Sequence, residues 1–172
     1  MNPDTVTRDS ILPAASFLVP FAAGVIVFLG RRLPRAFAMT VTVAAAGIVL
    51  LAGLAMVARV TGGVVLTEWG NELRADALSA LLVVVIGGVG LLAAIYSLRY
   101  VSRPGLLSAS RAETAERRLP TFYGLVLWFL ATMAWGCVTN NIIMLYVAVE
   151  ATTLCSGLLV AFFLHAHGSR CR

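Results

Sequence analysis

The sequence contains no lysine, and all thirteen of its basic residues are arginine. Charged residues of either sign make up only 12% of the 172 positions, against roughly a quarter in an ordinary soluble domain. Cysteine is sparse: Cys137, Cys155 and Cys171 form no CxxC pair, and the first two lie in apolar runs, where a thiol packs as a small hydrophobe. Histidine is confined to His165 and His167 in an HAH triplet, and two imidazoles without a third ligand do not make a metal site. An interfacial position accounts for them. No phosphate loop, dinucleotide fingerprint, iron–sulfur cysteine pattern or haem motif is present, so neither a cofactor nor a metal is expected. The net charge of +5 does not point to nucleic acid, because the arginines lie scattered between apolar runs without the interleaved aromatics of a binding face.

What the sequence does have is hydrophobic length. Of its residues 60% are hydrophobic, and the mean hydropathy is +0.92. Five apolar stretches, 11–29, 37–58, 76–98, 121–138 and 142–164, are each long enough to cross a hydrocarbon core of roughly 30 Å, which takes about 20 helical residues. In lipid each must satisfy its own backbone groups, so each is expected to be a helix. The expected fold is therefore all-α, a polytopic bundle of five transmembrane helices forming a single membrane domain over 1–172, with the lipid bilayer as its first partner. Asp4, Arg8 and Asp9 precede the first run and the arginine cluster follows it, the reverse of a signal peptide's charge order. The first run is thus expected to stay as a helix.

Arginine placement sets the expected orientation, since basic residues in short loops favour the cytoplasmic side. Arg31, Arg32 and Arg35 follow the first span, Arg99, Arg103, Arg111, Arg117 and Arg118 the third, and Arg170 and Arg172 the fifth. Only Arg8, Arg59 and Arg74 fall on the other side. The expected location is a bacterial plasma membrane, with a periplasmic N-terminus and a cytoplasmic C-terminus. The polar segment 99–120 then reads as a cytoplasmic loop, turning at Pro104-Gly105, with Glu113 and Arg117 spaced for a short surface helix. Small residues, Gly47 and Gly53 in the second span and Gly87, Gly88 and Gly90 in the third, suit close helix contacts.

One residue stands apart chemically. Seven of the eight acidic residues lie in tails, loops or helix ends, but Glu150 sits well inside the fifth apolar stretch. A carboxylate at that depth is costly, and such residues commonly mark ion pathways or proton relays. Burial raises a glutamate's pKa, which brings proton exchange into the physiological range. Tyr146, Thr153 and Gly157 share its helical face and are expected to form an inward polar stripe, with Tyr146 and Thr153 as support. The plainer reading is a neutral glutamate that holds helices together. Asp76, another possible support, opens the third span and suits a helix N-cap, as Asn140 and Asn141 do for the fifth. Trp69, Tyr96, Tyr100, Phe122 and Tyr123 fit interfacial aromatic belts, while Trp128 and Trp135 fit packing positions in the fourth span.

Around Glu150 the sequence NNIIMLYVAVEATTLCSGLLVAF resembles the fifth transmembrane helix of the antiporter-like subunits shared by complex I, group 4 membrane-bound hydrogenases and Mrp-type antiporters. Its VEATTL core is most similar to the hydrogenase-4 or formate hydrogenlyase branch. LRADALSALLVVVIGGVGLLAAIYSLRYV resembles the family's third helix, and RRLPTFYGLVLWFLATMAWGCVTNN its fourth, so that the resemblance covers 74–164. The first two spans fit by position and hydropathy. The resemblance implies three leading helices followed by the start of an antiporter-like inverted repeat. It also implies that Glu150 is a protonatable relay residue, paired in the family with a lysine on a later helix.

The implied function is the N-terminal portion of a proton-translocating membrane-arm subunit in an NADH-quinone oxidoreductase-like or membrane-bound hydrogenase complex. Other subunits would be its partners and would carry the redox chemistry, leaving this chain non-catalytic by itself. An Mrp-type cation/proton antiporter component is the alternative, and a membrane scaffold without transport a further one. After Leu164 the text HAHGSRCR departs from the family's continuation, and no lysine exists to face Glu150. A truncated or frameshifted product or a fragment, inactive alone, is therefore expected, or else a split subunit completed by a second chain.

Overall fold

The computed structural model describes the backbone of residues 7–30, 35–60, 64–101 and 109–168, and the side chains of 8–30, 36–60, 64–97 and 120–161 among them. Five helices carry the fold: α1 (Leu12–Leu29), α2 (Arg35–Val60), α3 (Ala77–Val101), α4 (Ala109–Val138) and α5 (Ile142–Gly168). Each is long and apolar enough to cross a membrane. They coincide with the five apolar stretches because in a bilayer the hydropathy run and the helix answer the same demand, that no backbone group be left unpaired. The chain is an all-α polytopic membrane protein.

The segment 99–120 differs from its expected form. α3 runs on to Val101, and α4 starts at Ala109, so the short surface helix is the head of α4 and not a separate element. Ala, Glu and Arg dominate 109–118 and all favour helix, while Pro120 withholds one backbone donor without ending the run. The turn at Pro104-Gly105 and the side chains of Glu113, Arg117, His165, His167 and Cys171 lie outside the described residues.

The helices pack as a group of four with a fifth beside it. α1 lies against α4 and α2, α2 against α3, α4 touches both α2 and α3, and α5 rests on α4. Glycine sets the closest approaches: a Cβ on Gly53 would stand 2.8 Å from the backbone nitrogen of Val84, and one on Gly87 2.6 Å from that of Leu50. Without lipid-driven association, such contact surfaces supply the van der Waals attraction between helices. Among the described residues, Gly47 and Gly88 meet nothing within 4 Å. Between α1 and α4, Trp128 lies across Gly24 and stacks on Phe21 and Phe28 at centroid distances of 6.0 and 5.9 Å. Tyr123 and Ser97 join α4 to α3 through their hydroxyls at 3.0 Å.

A three-stranded sheet, which hydropathy did not announce, closes one end. β1 (Thr7–Asp9) pairs in parallel with β2 (Val65–Glu68), and β2 pairs antiparallel with β3 (Leu73–Ala75). The β2–β3 turn puts Trp69, Gly70 and Asn71 in succession at φ 52°, 65° and 77°. Gly tolerates that left-handed region freely and Asn better than most residues, whereas Trp69 is strained by it. The buried side chains of Leu66, Leu73 and Ala75 continue the bundle core upward through Met56, Val60 and Val138.

Candidate functional site

The sheet end is where α1, α3 and α5 begin, and each helix start is capped by an acceptor from this chain. Helix starts leave backbone donors unpaired, and under an apolar bundle those donors need partners. In α1, Ile11 cannot cap with its side chain, so the Leu12 N–H donates to Ser10 Oγ at 3.4 Å and the Ala14 N–H to Glu68 Oε2 at 3.1 Å, while Pro13 has no donor to satisfy. In α3, the Ser79 N–H donates to Asp76 Oδ1 at 2.8 Å. That bond is the main reason the Asp76 carboxyl is held below the usual carboxylate range. In α5, the Ile143 N–H donates to Asn141 Oδ1 at 3.0 Å. Asp76 and Asn141 thus cap as their sequence positions suggested.

Asn140 acts differently. Its Nδ2 donates to the Asn71 carbonyl at 3.0 Å and its backbone N–H to the Glu72 carbonyl at 2.8 Å, while Asn141 Nδ2 donates to Glu72 Oε2 at 3.2 Å. The α4–α5 connection is therefore bound to the β2–β3 turn across about seventy residues of sequence. Phe17 joins the same end, edge-on to Trp69 at 6.3 Å and stacked with Trp135 at 6.1 Å. Glu68 and Glu72 were missed as functional positions in the cap. The signal was present in VVLTEWGNELRA, a β-branched run, a Gly-Asn turn and a short return strand.

Glu150 lies eight residues beyond Ile142, within the span of α5. Tyr146, Glu150, Thr153 and Gly157 do share one face, but that face points away from α4, and Tyr146, Glu150 and Thr153 are not buried on it. The face turned to α4 carries Ala148, Thr152 and Cys155. There a Cβ on Gly136 would meet the Ala148 methyl at 3.7 Å, and the Thr152 and Thr132 hydroxyls approach to 3.1 Å. Small side chains win that contact because they permit close packing, and the polar stripe is left on the outside. The described residues do not enclose Glu150.

Among the described residues, Thr153 is the side chain that meets the carboxyl: its Oγ1 lies 3.1 Å from Glu150 Oε2, 2.7 Å from the Glu150 carbonyl and 3.3 Å from the Val149 carbonyl. Asp76 is not brought to this site, since it belongs to the cap at the head of α3. Tyr146 is 68% exposed one turn earlier on α5. Among the described residues no group of three or more His, Cys, Asp or Glu side chains gathers as a metal site.

Residues 69–105 match the family model described as NADH-Ubiquinone oxidoreductase (complex I), chain 5 N-terminus. The chain is 39% identical over 93 residues to NADH-quinone oxidoreductase subunit L of Mycobacterium tuberculosis, a stretch of 54% of this chain and 13% of that protein. It is 34% identical over 94 residues to a Na(+)/H(+) antiporter subunit of Alkalihalophilus pseudofirmus, covering 55% of this chain and 10% of the relative. A Na(+)/H(+) antiporter subunit from Staphylococcus aureus is 30% identical over 98 residues, 57% of this chain and 11% of its own length. The chain thus spans little more than a tenth of the curated relatives it matches.

Proposed function

We propose that this chain, whose sequence matches the complex I/Mrp antiporter superfamily, is part of a proton-translocating membrane subunit, and that Glu150 is its proton-carrying group. The observation that carries the reading is a single carboxyl set within an otherwise apolar span, on a helix face that the described residues leave open. In hydrocarbon such a group calls for a partner, and a group that gains and loses a proton there can pass charge between neighbours. Because the sequence holds no lysine, a lysine facing Glu150 comes from outside residues 1–172. Translocation accordingly belongs to the assembled complex, with other subunits supplying any redox chemistry. The test is Glu150→Gln in that complex: proton pumping should fall to near background while assembly stays normal. Unchanged pumping with normal assembly leaves Glu150 a structural residue only.

A Na(+)/H(+) antiporter component is the second reading, supported by the similarity to the two antiporter proteins. Flux that depends on an electron donor favours the first reading, and donor-independent exchange of Na+ for protons favours the second. Orientation follows the arginine distribution, with the sheet end periplasmic. Single cysteines at Asn71 and Ser108 should be labelled from opposite sides, Asn71 from the periplasm. Labelling of both from the periplasm would reject this topology.

A further inference from the structure

A threonine inside a helix ordinarily returns its hydroxyl proton to a carbonyl one turn back. Thr152 does so, donating to the Ala148 carbonyl at 2.8 Å on the face packed against α4. Its neighbour Thr153 has a choice, because three acceptors lie within reach of its one proton: the Glu150 carbonyl at 2.7 Å, Glu150 Oε2 at 3.1 Å and the Val149 carbonyl at 3.3 Å. A hydroxyl offers one donor and two lone pairs, so it gives to one acceptor while it accepts from another group.

We propose that Thr153 is a positioning residue for the Glu150 carboxyl, its hydroxyl turning between the helix backbone and the carboxylate as Glu150 loses and regains a proton. The inference rests on reading Glu150 as the proton carrier and adds what holds that carboxyl in place. With Glu150 neutral, the Thr153 proton stays on a backbone carbonyl and Thr153 Oγ1 accepts from the carboxyl O–H. With Glu150 ionised, the Thr153 proton turns to Oε2, since a hydrogen bond to a charged acceptor is the stronger one. The heavy atoms keep their places in both states. Thr153 itself neither gains nor loses a proton, and the transferred proton leaves Glu150 for an acceptor outside residues 1–172.

Little else on these helices competes for the role. Within the spans, α4 contributes Tyr123 and Cys137 as ionisable side chains, and α5 contributes Tyr146 and Cys155 besides Glu150. Tyr123 is engaged with Ser97 on α3, and Cys155 is buried on the α4 side. One turn beyond Thr153 and two beyond Glu150, Gly157 has no described residue within 4 Å of where a Cβ would stand, so the same face of α5 stays open there to a group from outside residues 1–172.

The test compares Thr153→Val, which keeps the shape and removes the hydroxyl, with Thr153→Ser, which keeps the hydroxyl. In the assembled complex, Thr153→Val should slow proton flux about tenfold, the order expected for losing a hydrogen bond to a charged group, and Thr153→Ser should restore most of it. Infrared difference spectra between acid and alkaline buffer, taken on the assembled complex in lipid nanodiscs, give a readout that simple packing would not move. The band lost in Glu150→Gln identifies the Glu150 carboxyl. That band should move to higher frequency in Thr153→Val and hold its place in Thr153→Ser. An unmoved band in Thr153→Val overturns the proposal whatever the flux, because the hydroxyl then does not touch the carboxyl. Full flux in Thr153→Val also overturns it, while leaving Glu150 as carrier untouched. Full flux in Glu150→Gln removes the carrier reading and this role together.

Discussion

The sheet end and the open face of α5 handle polar groups in opposite ways. At the sheet end, Glu68, Asp76 and Asn141 each accept a backbone N–H from the first turn of a helix, and Asn140 and Asn141 tie the α4–α5 connection to the β2–β3 turn. On α5, the Glu150 carboxyl meets Thr153, from its own helix, and its outer side is left open among the described residues. The first region is complete in itself, because its donors and acceptors were ordered together by one small sheet. The second leaves a costly group exposed within an apolar span. On the proposed reading, the polar residues that stabilise this fold and the carboxyl that carries protons occupy separate places, and substitutions should separate them.

The largest contrast is expected between Glu68 and Glu150. Glu68→Ala removes the acceptor that caps α1 from 54 positions away and leaves the Ala14 N–H unpaired, which by the cost of losing a cap comes to about 1–2 kcal/mol. Glu150→Gln removes no contact with another helix among the described residues and should leave stability unchanged. Thermal unfolding of the purified chain in detergent reads both. Equal losses in the two variants would break the comparison. A smaller effect is expected at Asn141, whose change to Ala deletes the α5 cap and the bond to Glu72 and should cost about 1 kcal/mol. Pairing it with Glu72→Ala sharpens the point, since the double variant should lose less than the two single losses added, as contacting residues do.

Much of this was legible in the sequence. The five spans followed from hydropathy to within a few residues over their apolar parts, because the bilayer punishes every other solution, and Asp76 and Asn141 announced themselves as caps because a short acceptor stands just ahead of an apolar run. Glu150 was legible for the same reason, as the one charge that hydrophobicity cannot excuse. Two things were not. The sheet is built from strands of three or four residues, too short for any periodicity to emerge, and its pairing of Arg8 with Leu66 spans the whole of α1 and α2. The direction in which Glu150 faces was hidden as well. Its helix carries two packable faces, and the one with Ala148, Thr152 and Cys155 meets α4 through small side chains, which a stripe drawn on one helix cannot reveal.

The smallest effect is expected at Asp76, where it takes the form of a pH dependence. Its carboxyl is held below the usual carboxylate range, first by the Ser79 backbone N–H and then by the Ser79 side chain, the Leu78 N–H and the charge of Arg74, against an opposing cost of burial. A group whose pKa is lower in the folded chain stabilises that chain above its unfolded pKa, about 3.9 for aspartate, and the contribution drains away as pH falls through the folded value. Because Asp76 is exposed, solvent screens the effect, and a few tenths of a kcal/mol is the expected scale, roughly that of a charge at the positive end of a helix dipole. Asp76→Asn keeps an acceptor for Ser79 and should cost little at neutral pH, yet it should flatten the fall in stability between about pH 5 and pH 3. Glu150→Gln should leave that fall in place if the cap alone accounts for it. A stability profile indifferent to Asp76→Asn but flattened by Glu150→Gln would mean that the open face, and not the capped end, carries the acid sensitivity of the fold.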